Sequence, residues 1–368
     1  MRPVLLLVVL SGTAGCIQQP VSKAAHSDEP TAEAPAADEP TPADPASTLM
    51  TPASAELLAQ WSPEGLDAAR TYWADMGSTA VMVVQDGFVI AEWGDVERPV
   101  SCHSVRKSFL SALYGAPVAD GTIRLDATLE ALDIDDAVAP SLSDAERQAT
   151  VEQLLQSRSG VYHPAAHETT EMEESRPERE SHPPGSHWFY NNWDFNALGT
   201  IYRNETGRDL FEAFEADVAI PIHMEHFSLE DTRYAYEAEI SEHPAYTFQM
   251  STRDRARFGL LYARAGDWDG TPVLSPDWIA QSTLPWSDAG SGVAYGYMWW
   301  ISADGWHLGS QFDGVPYSAR GWGGQYIVVV PERDLVIVHT VDLSADEDMR
   351  EGTSFHALFA LILDAQRT

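Results

Sequence analysis

Ser104-Val105-Arg106-Lys107 is the stretch on which the interpretation of this 368-residue chain depends. The sequence contains only two lysines, Lys23 and Lys107, beside twenty arginines. Lys23 lies in a Pro/Ala-rich segment, so Lys107 is the only lysine of the predicted folded body. An arginine keeps its proton in a protein, whereas a buried lysine can lose it. A lysine three residues after a serine therefore indicates a proton acceptor beside a nucleophile.

The residues after Ser104 predict a helix, because their apolar side chains recur at helical spacing: Val105, Phe109, Leu110 and Leu113. Residues three apart lie on the same face of a helix, so Ser104 and Lys107 are expected to be neighbours. A serine at the helix start also gains from the positive end of the helix dipole when an oxyanion forms nearby. The alternative is a surface lysine on an amphipathic helix, since serine is a common residue.

Tyr190-Asn191-Asn192 is the second candidate element. A tyrosine phenol held partly ionised by a cation can relay a proton to a serine or to a leaving group. Asn192 has an amide that can donate to a substrate carbonyl or hold the lysine. Taken alone, the tripeptide is equally typical of a buried tyrosine in a helix-capping loop.

Gly321-Trp322-Gly323-Gly324-Gln325 is the third element, and it leads directly into the apolar run 326–330. Glycines before an edge strand let a substrate approach the backbone closely. The exposed N–H of Gln325, together with that of Ser104, is predicted to form an oxyanion hole. The alternative is an ordinary glycine-rich turn.

The order and spacing of these three elements resemble the serine β-lactamase-like superfamily, which includes class C β-lactamases, D-Ala-D-Ala carboxypeptidases, carboxylesterases and 6-aminohexanoate-dimer hydrolases. Its members share Ser-x-x-Lys, then Tyr-x-Asn, then a Lys/His/Trp-x-Gly element at a strand edge. The matches here are Ser104 with Lys107, Tyr190 with Asn192, and Trp322-Gly323-Gly324. The segments 120–126, 151–160 and 253–259 also resemble the sequences of this superfamily. The resemblance covers about residues 53–365.

The resemblance implies a serine hydrolase that forms an acyl-enzyme on Ser104, with Lys107 and Tyr190 sharing the role of general base. Trp322 stands where β-lactamases and carboxypeptidases carry a cation that grips the substrate carboxylate, although Arg320 is two residues away. The Trp-Gly-Gly form resembles the ester- and amide-hydrolysing branch, so carboxylic esters or short amides are the expected substrates. β-Lactamase or D-Ala-D-Ala carboxypeptidase activity is the first alternative, and a non-catalytic cell-envelope binding protein is the second.

The fold class predicted from the chain is an α/β part combined with an all-α part. Strand signals lie at both ends, including a hairpin around Asp86-Gly87, whereas the middle has helical spacing. We expect an α/β part from residues 53–103 and 290–368 and a helical part from 104–289. The resemblance implies a β-lactamase/penicillin-binding-protein-like fold, in which helices flank an antiparallel sheet. The polar stretch 163–184 is a candidate lid or mobile loop.

The N-terminal residues 1–16 predict an export signal, with one basic residue, an apolar stretch and a run of small residues. The run ends at Cys16 and resembles a bacterial lipoprotein signal, in which that cysteine is lipidated. Residues 17–52 predict a disordered acidic linker rich in proline and alanine. The domain is therefore expected to be exported and lipid-anchored in the bacterial cell envelope; an ordinary cleaved signal and a secreted protein are the alternative.

The formal net charge is −34, and most of it belongs to the body, because residues 17–52 contain six acids and one lysine. Such a surface repels nucleic acid and anionic lipid head groups. The resemblance implies a small-molecule ester or amide as the partner, and the membrane is expected to be reached only through Cys16. No cofactor is expected, and no metal, because no spacing brings three or four ligands together. Cys102 is expected to be a buried structural thiol. The sequence leaves the oligomeric state open.

Overall fold

Residues 48–344 and 352–367 are described by the structure, a computed structural model; for residues 352–354 it describes the backbone alone. The predicted signal with Cys16, and the predicted linker as far as residue 47, lie outside the described residues. Leu49 and Met50, which we predicted in the linker, are buried. Met50 N donates to Gly87 O at 2.7 Å, so the folded body begins before the predicted boundary at residue 53.

Ten α-helices lie in the described residues. They are α1 Ala55–Leu58, α2 Pro63–Asp75, α3 Arg106–Ala119, α4 Val151–Leu155, α5 Thr170–Ser175, α6 Asn192–Thr206, α7 Leu210–Phe214, α8 Thr252–Ala263, α9 Pro276–Ser282 and α10 Gly352–Asp364. A single 3₁₀ turn, His103–Val105, leads into α3.

The strands are mostly short. They are β1 Ala80–Gln85, β2 Phe88–Gly94, β3 Val100–Ser101, β4 Thr232–Ala235, β5 Ala245–Met250, β6 Asp267–Trp268, β7 Thr271–Pro272, β8 Ser287–Asp288, β9 Val293–Tyr295, β10 Trp300–Ser302, β11 Trp306–His307, β12 Ser310–Gln311, β13 Tyr317–Gly321, β14 Gln325–Val330 and β15 Leu335–Thr340. Eight of them form the main sheet, in the order β2-β1-β15-β14-β13-β10-β9-β8, and its neighbours pair antiparallel.

The main sheet joins both ends of the chain, as the sequence predicted. The hairpin of β1 and β2 turns at Asp86-Gly87, where both residues have positive φ. Strand β15, from the other end, pairs with β1 along six residues, from Ala80 opposite Thr340 to Gln85 opposite Leu335. The predicted fold class, helices flanking an antiparallel sheet, is confirmed.

Strands β1, β14 and β15 are apolar runs because both faces of the sheet are covered. Along a strand, alternate side chains point to opposite faces. One face packs against α2 and α10, and it includes Val81, Val328 and Ile337. The other face packs against α8 and the larger core, and it includes Met82 and Val336.

The predicted division into an α/β part and a helical part needs two corrections. Helix α8 was assigned to the helical part, yet it packs directly on β1, β14 and β15. Gly259 permits this approach, because a Cβ there would lie 2.6 Å from a methyl of Val336. The segment 104–289 also contains strands: β5 pairs with β3 and β4 in a second sheet, and β8 belongs to the main one. Local periodicity does not reveal which helices lie on a sheet.

Within residues 48–344 and 352–367, no helix combines the length and the apolar character needed to cross a membrane.

Candidate active site

The candidate nucleophile lies in the turn that leads into a largely buried helix, α3. Ser104 occupies the 3₁₀ turn before α3, and Lys107 follows in the first turn of α3. Lys107 is 1% exposed, whereas Ser104 is half-buried. His103, directly before the serine, has a φ of 45°, a left-handed conformation that is strained for a residue with a side chain. This sharp turn sets Ser104 at the helix start, as the sequence predicted.

Ser104, Lys107 and Tyr190 are brought together by the structure. Lys107 Nζ lies 3.0 Å from Ser104 Oγ and 2.6 Å from Tyr190 Oη, both hydrogen-bond distances. The amine also lies 4.1 Å from the centre of the Tyr190 ring and 4.5 Å from that of Phe195. A proton therefore has a direct path between the serine hydroxyl, the amine and the phenol.

Burial lowers the pKa of Lys107 well below its usual value, and the nearby charge of Arg106 lowers it further. No carboxylate within residues 48–344 and 352–367 forms an ion pair with Lys107 to offset these effects. Desolvation penalises the charged form of a buried amine, so its neutral form becomes accessible. A neutral amine at 3.0 Å from Ser104 Oγ can accept the hydroxyl proton.

Burial raises the pKa of Tyr190 to about 12, although a hydrogen bond with Ser104 and the charge of Arg106 oppose the shift. The phenol is therefore protonated near neutral pH. The sequence interpretation expected a cation to hold this tyrosine partly ionised, and the structure corrects it. A neutral amine beside a protonated phenol makes Lys107 the better base and Tyr190 the better proton donor.

Tyr190 is held by the loop that begins α6. Ser157 Oγ donates to Phe189 O at 2.6 Å, and Asn191 N donates to Ser157 Oγ at 3.2 Å. Asn191 caps α6 by accepting from Trp193 N at 3.1 Å, and its amide donates to Val161 O at 2.6 Å. The tyrosine is thus fixed on both sides along the chain. Neither the role of Ser157 nor the capping role of Asn191 was predicted from the sequence.

Asn192 borders the same space but does not form a hydrogen bond with Lys107. Its Nδ2 donates to His167 O at 2.6 Å. Its buried Oδ1 has no hydrogen-bond partner among the described residues. Of the two predicted roles, holding the lysine is wrong, and donation to a substrate carbonyl would require Nδ2 to leave His167. Asn192 instead anchors the 163–184 segment, the polar stretch predicted as a candidate lid.

Strand β13 passes beside the candidate nucleophile at Gly321. A Cβ on Gly321 would lie 2.6 Å from Cys102 O and 3.2 Å from Ser104 N, so only glycine fits this approach. The Ser104 N–H lies near the positive end of α3, where developing negative charge is stabilised. The Ser104 N–H and the edge of β13 at Gly321 therefore delimit the place for an oxyanion.

The oxyanion position predicted for Gln325 is corrected by the hairpin of β13 and β14. Gln325 lies opposite Gly321, on the strand farther from Ser104, and is fully buried. Its side chain accepts from Arg255 Nη1 at 2.8 Å and donates to Val341 O at 2.7 Å. Gln325 thus holds the sheet together below the site.

The other residues of the third element differ in their position: Trp322 lies at the site, whereas Gly323 and Gly324 do not. Trp322 borders the site, is 42% exposed and packs edge-on against His103, with ring centres 5.4 Å apart. Gly323 and Gly324 have positive φ values of 72° and 88° and make the turn into β14. They pack toward Leu343 and His339 and do not line the site.

A cleft of about 1160 Å³ opens at these residues. We call it the cleft, and it is lined by Ser104, Tyr190, Asn192, Gly321 and Trp322 among others. Pockets for small ligands usually measure about 300–1,000 Å³, so a substrate larger than a simple ester fits. Much of its wall is aromatic: Trp188, Phe189, Tyr190, Phe248, Trp300 and Trp322.

Charged residues also border the cleft. Arg106, Arg233 and Arg320 lie in its wall beside several acids, including Glu168 and Glu171 of the 163–184 segment. Within that segment the structure describes only one short helix, α5. Arg106 was not predicted as a site residue, because a charged residue within a helical pattern is typical of a surface position.

Cys102, next to this site, is buried and free, and burial raises the pKa of its thiol to about 11. Such a thiol is unreactive, as a structural cysteine would be. No cluster of three or more histidine, cysteine, aspartate or glutamate residues able to hold a metal is present in the part of the chain that the structure describes.

The family model named Beta-lactamase matches residues 67–361, which is most of the chain. The chain belongs to the beta-lactamase family. Membership is consistent with serine hydrolase activity in the broad sense and with the resemblance stated above. No curated protein matches the chain, so the individual likenesses are to solved structures.

Three solved structures illustrate the beta-lactamase fold of this chain. A Bacillus anthracis protein with the provisional name 6-aminohexanoate-dimer hydrolase has 20% identity and a TM-score of 0.61, covering 80% of each chain. The octameric penicillin-binding protein homologue from Pyrococcus abyssi has 18% identity and a TM-score of 0.60, covering 82% of this chain and 76% of its own. A penicillin-binding protein from Bacillus halodurans has 16% identity and a TM-score of 0.57, covering 80% and 98%. At these identities the likeness establishes the fold.

Proposed function

We propose that this beta-lactamase family member is a serine hydrolase that cleaves carboxylic esters or short amides through an acyl-enzyme on Ser104. The observation that carries the proposal is the position of Lys107 Nζ, 3.0 Å from Ser104 Oγ and 2.6 Å from Tyr190 Oη. A nucleophile, a base and a proton donor within hydrogen-bond reach form the arrangement that covalent catalysis requires.

In the proposed first step, the neutral Lys107 amine takes the proton of the Ser104 hydroxyl as Oγ bonds to the substrate carbonyl carbon. The carbonyl oxygen becomes an oxyanion, which accepts a hydrogen bond from the Ser104 N–H beside Gly321. Tyr190 then donates its proton to the leaving oxygen or nitrogen and recovers one from the Lys107 ammonium. The bond to the leaving group breaks, and the acyl group remains on Ser104.

In the second step, water enters where the leaving group was. Tyr190 and Lys107 take a proton from that water as it attacks the acyl carbon, and the reverse relay returns a proton to Ser104 Oγ. The acid product leaves, and the starting protonation states are restored. The same groups serve both steps because deacylation is the chemical reverse of acylation, with water as the new nucleophile.

Trp322 and the aromatic wall of the cleft support esters and short amides over β-lactams. A β-lactam or a D-Ala-D-Ala peptide presents a carboxylate toward the strand edge, and the indole of Trp322 provides no cation at that position. An indole does provide apolar contact for an acyl chain. Trp188 and Trp300 add to this surface beside Tyr190, with ring centres 5.9 Å apart.

Hydrolysis of p-nitrophenyl butyrate and of nitrocefin, measured side by side with the full chain and with Ser104→Ala, tests the proposal. We expect turnover of the ester by the wild type and its loss in Ser104→Ala, with nitrocefin left intact. If neither substrate shows Ser104-dependent turnover, the proposal fails for these substrates and a non-catalytic binding protein becomes the better account.

β-Lactamase or carboxypeptidase activity is a second candidate, and one observation favours it. Arg320 borders the cleft two residues before Trp322, so a cation does lie near the position that Trp322 occupies. Ser104-dependent hydrolysis of nitrocefin that is lost in Arg320→Gln would support this candidate.

We further propose that the domain is exported and attached to the bacterial cell envelope by a lipid on Cys16, with the membrane contacted through that anchor alone. The order of basic, apolar and small residues before Cys16 supports it. Expression of the full chain in a bacterial host with labelled palmitate tests it. Label in the wild type and none in Cys16→Ser is the expected result, whereas an unlabelled, secreted protein would contradict it.

A further inference from the structure

Arg106 is a buried arginine that lacks an anionic partner. It is 4% exposed, borders the cleft and lies two residues after Ser104. Its guanidinium carbon lies 4.4 Å from the centre of the Tyr246 ring. No ion pair joins it to another described residue, and its buried Nη1 has no acceptor there. Its other polar interaction is with the neutral hydroxyl of Tyr246.

Two other buried arginines, unlike Arg106, have charged or amide side-chain acceptors for their guanidinium groups. Arg255 donates to Gln325 Oε1 at 2.8 Å and to Val100 O at 2.6 Å. Arg257 forms an ion pair with Glu225. The chain therefore supplies acceptors to its structural arginines, and the guanidinium at the cleft is the exception.

A buried guanidinium without an anionic partner is costly, because it has lost its water and gained only contacts with a neutral tyrosine. Glu168 of the cleft wall does not relieve this cost, since it forms an ion pair with Arg176. A guanidinium offers a planar fork of donors that matches a carboxylate. The missing acceptor is therefore best supplied by a molecule in the cleft.

We propose that Arg106 is the anion-binding residue of the cleft and that the substrate carries a carboxylate which pairs with it. The inference rests on the proposed ester or amide hydrolysis and adds the chemical class of its substrate. The position is on the nucleophile helix, away from the strand edge where β-lactamases and carboxypeptidases carry their cation.

Arg320 is the competing cation, and its contacts make it the weaker candidate. Its Nε donates to Ser318 Oγ at 2.9 Å, and its guanidinium carbon lies 5.2 Å from the centre of the Trp300 ring. Arg320 thus has a hydrogen-bond acceptor of its own, whereas the buried Nη1 of Arg106 has none among the described residues.

Two pairs of esters test the assignment. In the first pair the acyl group differs, p-nitrophenyl hydrogen glutarate against p-nitrophenyl butyrate. In the second the leaving group differs, 4-carboxyphenyl butyrate against phenyl butyrate. The readout is the ratio of kcat/KM for the anionic ester to that for the neutral one, since a general disturbance of Lys107 lowers both alike.

We expect Arg106→Gln to lower this ratio by about tenfold or more in at least one pair, and that pair tells which half of the substrate carries the carboxylate. Arg106→Lys keeps the positive charge but lacks the planar pair of donors, so its ratio should lie between those of Arg106→Gln and the wild type. Arg320→Gln serves as the matched control at the same cleft. Unchanged ratios for both pairs in Arg106→Gln, or a loss confined to Arg320→Gln, would overturn the assignment.

The wild type gives an independent measurement if Arg106→Gln does not fold. A chain with a formal net charge of −34 repels anionic substrates unless a local cation compensates. A ratio above one in either pair supports an anion subsite, and ratios below one in both pairs overturn it. Loss of the neutral-ester activity in Ser104→Ala reports on the proposed function separately, so the two failures are distinguishable.

Discussion

The amine of Lys107 and the phenol of Tyr190 lie 2.6 Å apart, although 83 residues separate them in the chain. One comes from the first turn of α3 and the other from the residues that lead into α6. Their contact joins the start of α3, next to Ser104, to the start of α6. Because burial favours a neutral amine and a protonated phenol, the pair begins the reaction with one acceptor and one donor.

Replacing Lys107 by arginine keeps a positive charge but removes the base, because a guanidinium does not lose its proton. We expect kcat/KM for p-nitrophenyl butyrate to fall by about 10²- to 10⁴-fold, the range usual for general-base catalysis. Steady-state kinetics on the folded variant, checked by thermal unfolding, measure this. Lys107→Met, which is closer in size, controls for crowding by the larger guanidinium. Near-normal turnover by either variant would exclude Lys107 as the base.

The pH profile of kcat/KM should have an acid limb that belongs to Lys107. Its pKa is lowered in the folded protein, so the amine becomes protonated and inactive only when the pH falls through that lowered value. The pKa of Tyr190, raised to about 12, predicts no alkaline loss from the phenol below that pH. A rate that keeps rising until the pH reaches the ordinary lysine value of about 10.4 would contradict the account. Circular dichroism at each pH excludes unfolding.

Tyr190→Phe removes the proposed donor to the leaving group, so its effect should depend on that group. A p-nitrophenolate leaves without a proton, whereas an alkoxide or an amine needs one. We expect kcat/KM for ethyl butyrate to fall at least about tenfold more than that for p-nitrophenyl butyrate. Equal losses on the two esters would assign Tyr190 a positioning role instead.

Gly321→Ala places a methyl group 2.6 Å from Cys102 O and 3.2 Å from Ser104 N, where it must push β13 away from the nucleophile. We expect kcat to fall by about 10-fold or more, because catalysis depends on the placement of the oxyanion donor. Gly207→Ala is the control for a loss of stability, since a methyl group there meets nothing within 4 Å while the positive φ of 66° makes alanine strained. Similar losses of kcat in the two variants, at equal stability, would show that Gly321 has no special role.

Gln325→Leu tests the correction to the predicted oxyanion hole. The change removes the acceptor of Arg255 Nη1 and the donor to Val341 O, and leaves a buried charge short of a partner. The free energy of unfolding should fall by about 2–4 kcal/mol. Denaturant titration measures it, with Gln366→Leu as the partly exposed control. An unchanged midpoint would mean that the buried contacts of Gln325 contribute little.

The sequence predicted those features that depend on local spacing. Ser104 and Lys107 are three residues apart on one helix, so their contact follows from helix geometry. The hairpin at Asp86-Gly87 follows from turn chemistry in the same way. Tyr190 lies far away in the sequence, and only the resemblance to known hydrolases connected it with the other two.

The features that were missed depend on tertiary contacts. Gln325 lies one strand too far from Ser104, because the hairpin turns after Gly321 rather than before it. Asn192 finds its acceptor at His167, in a segment without a periodic pattern. Arg106 is buried with its guanidinium against the ring of Tyr246, and no local pattern distinguishes it from a surface arginine.

The acyl-enzyme itself is the most direct test of the account. The full chain would be mixed with p-nitrophenyl butyrate, quenched in acid within the first turnovers and analysed by intact mass and peptide mapping, with Ser104→Ala in parallel. The account predicts a mass increase of one butyryl group on the peptide that contains Ser104, and no increase in the variant. Ester turnover that persists in Ser104→Ala, or a butyryl group on any other residue, would contradict it.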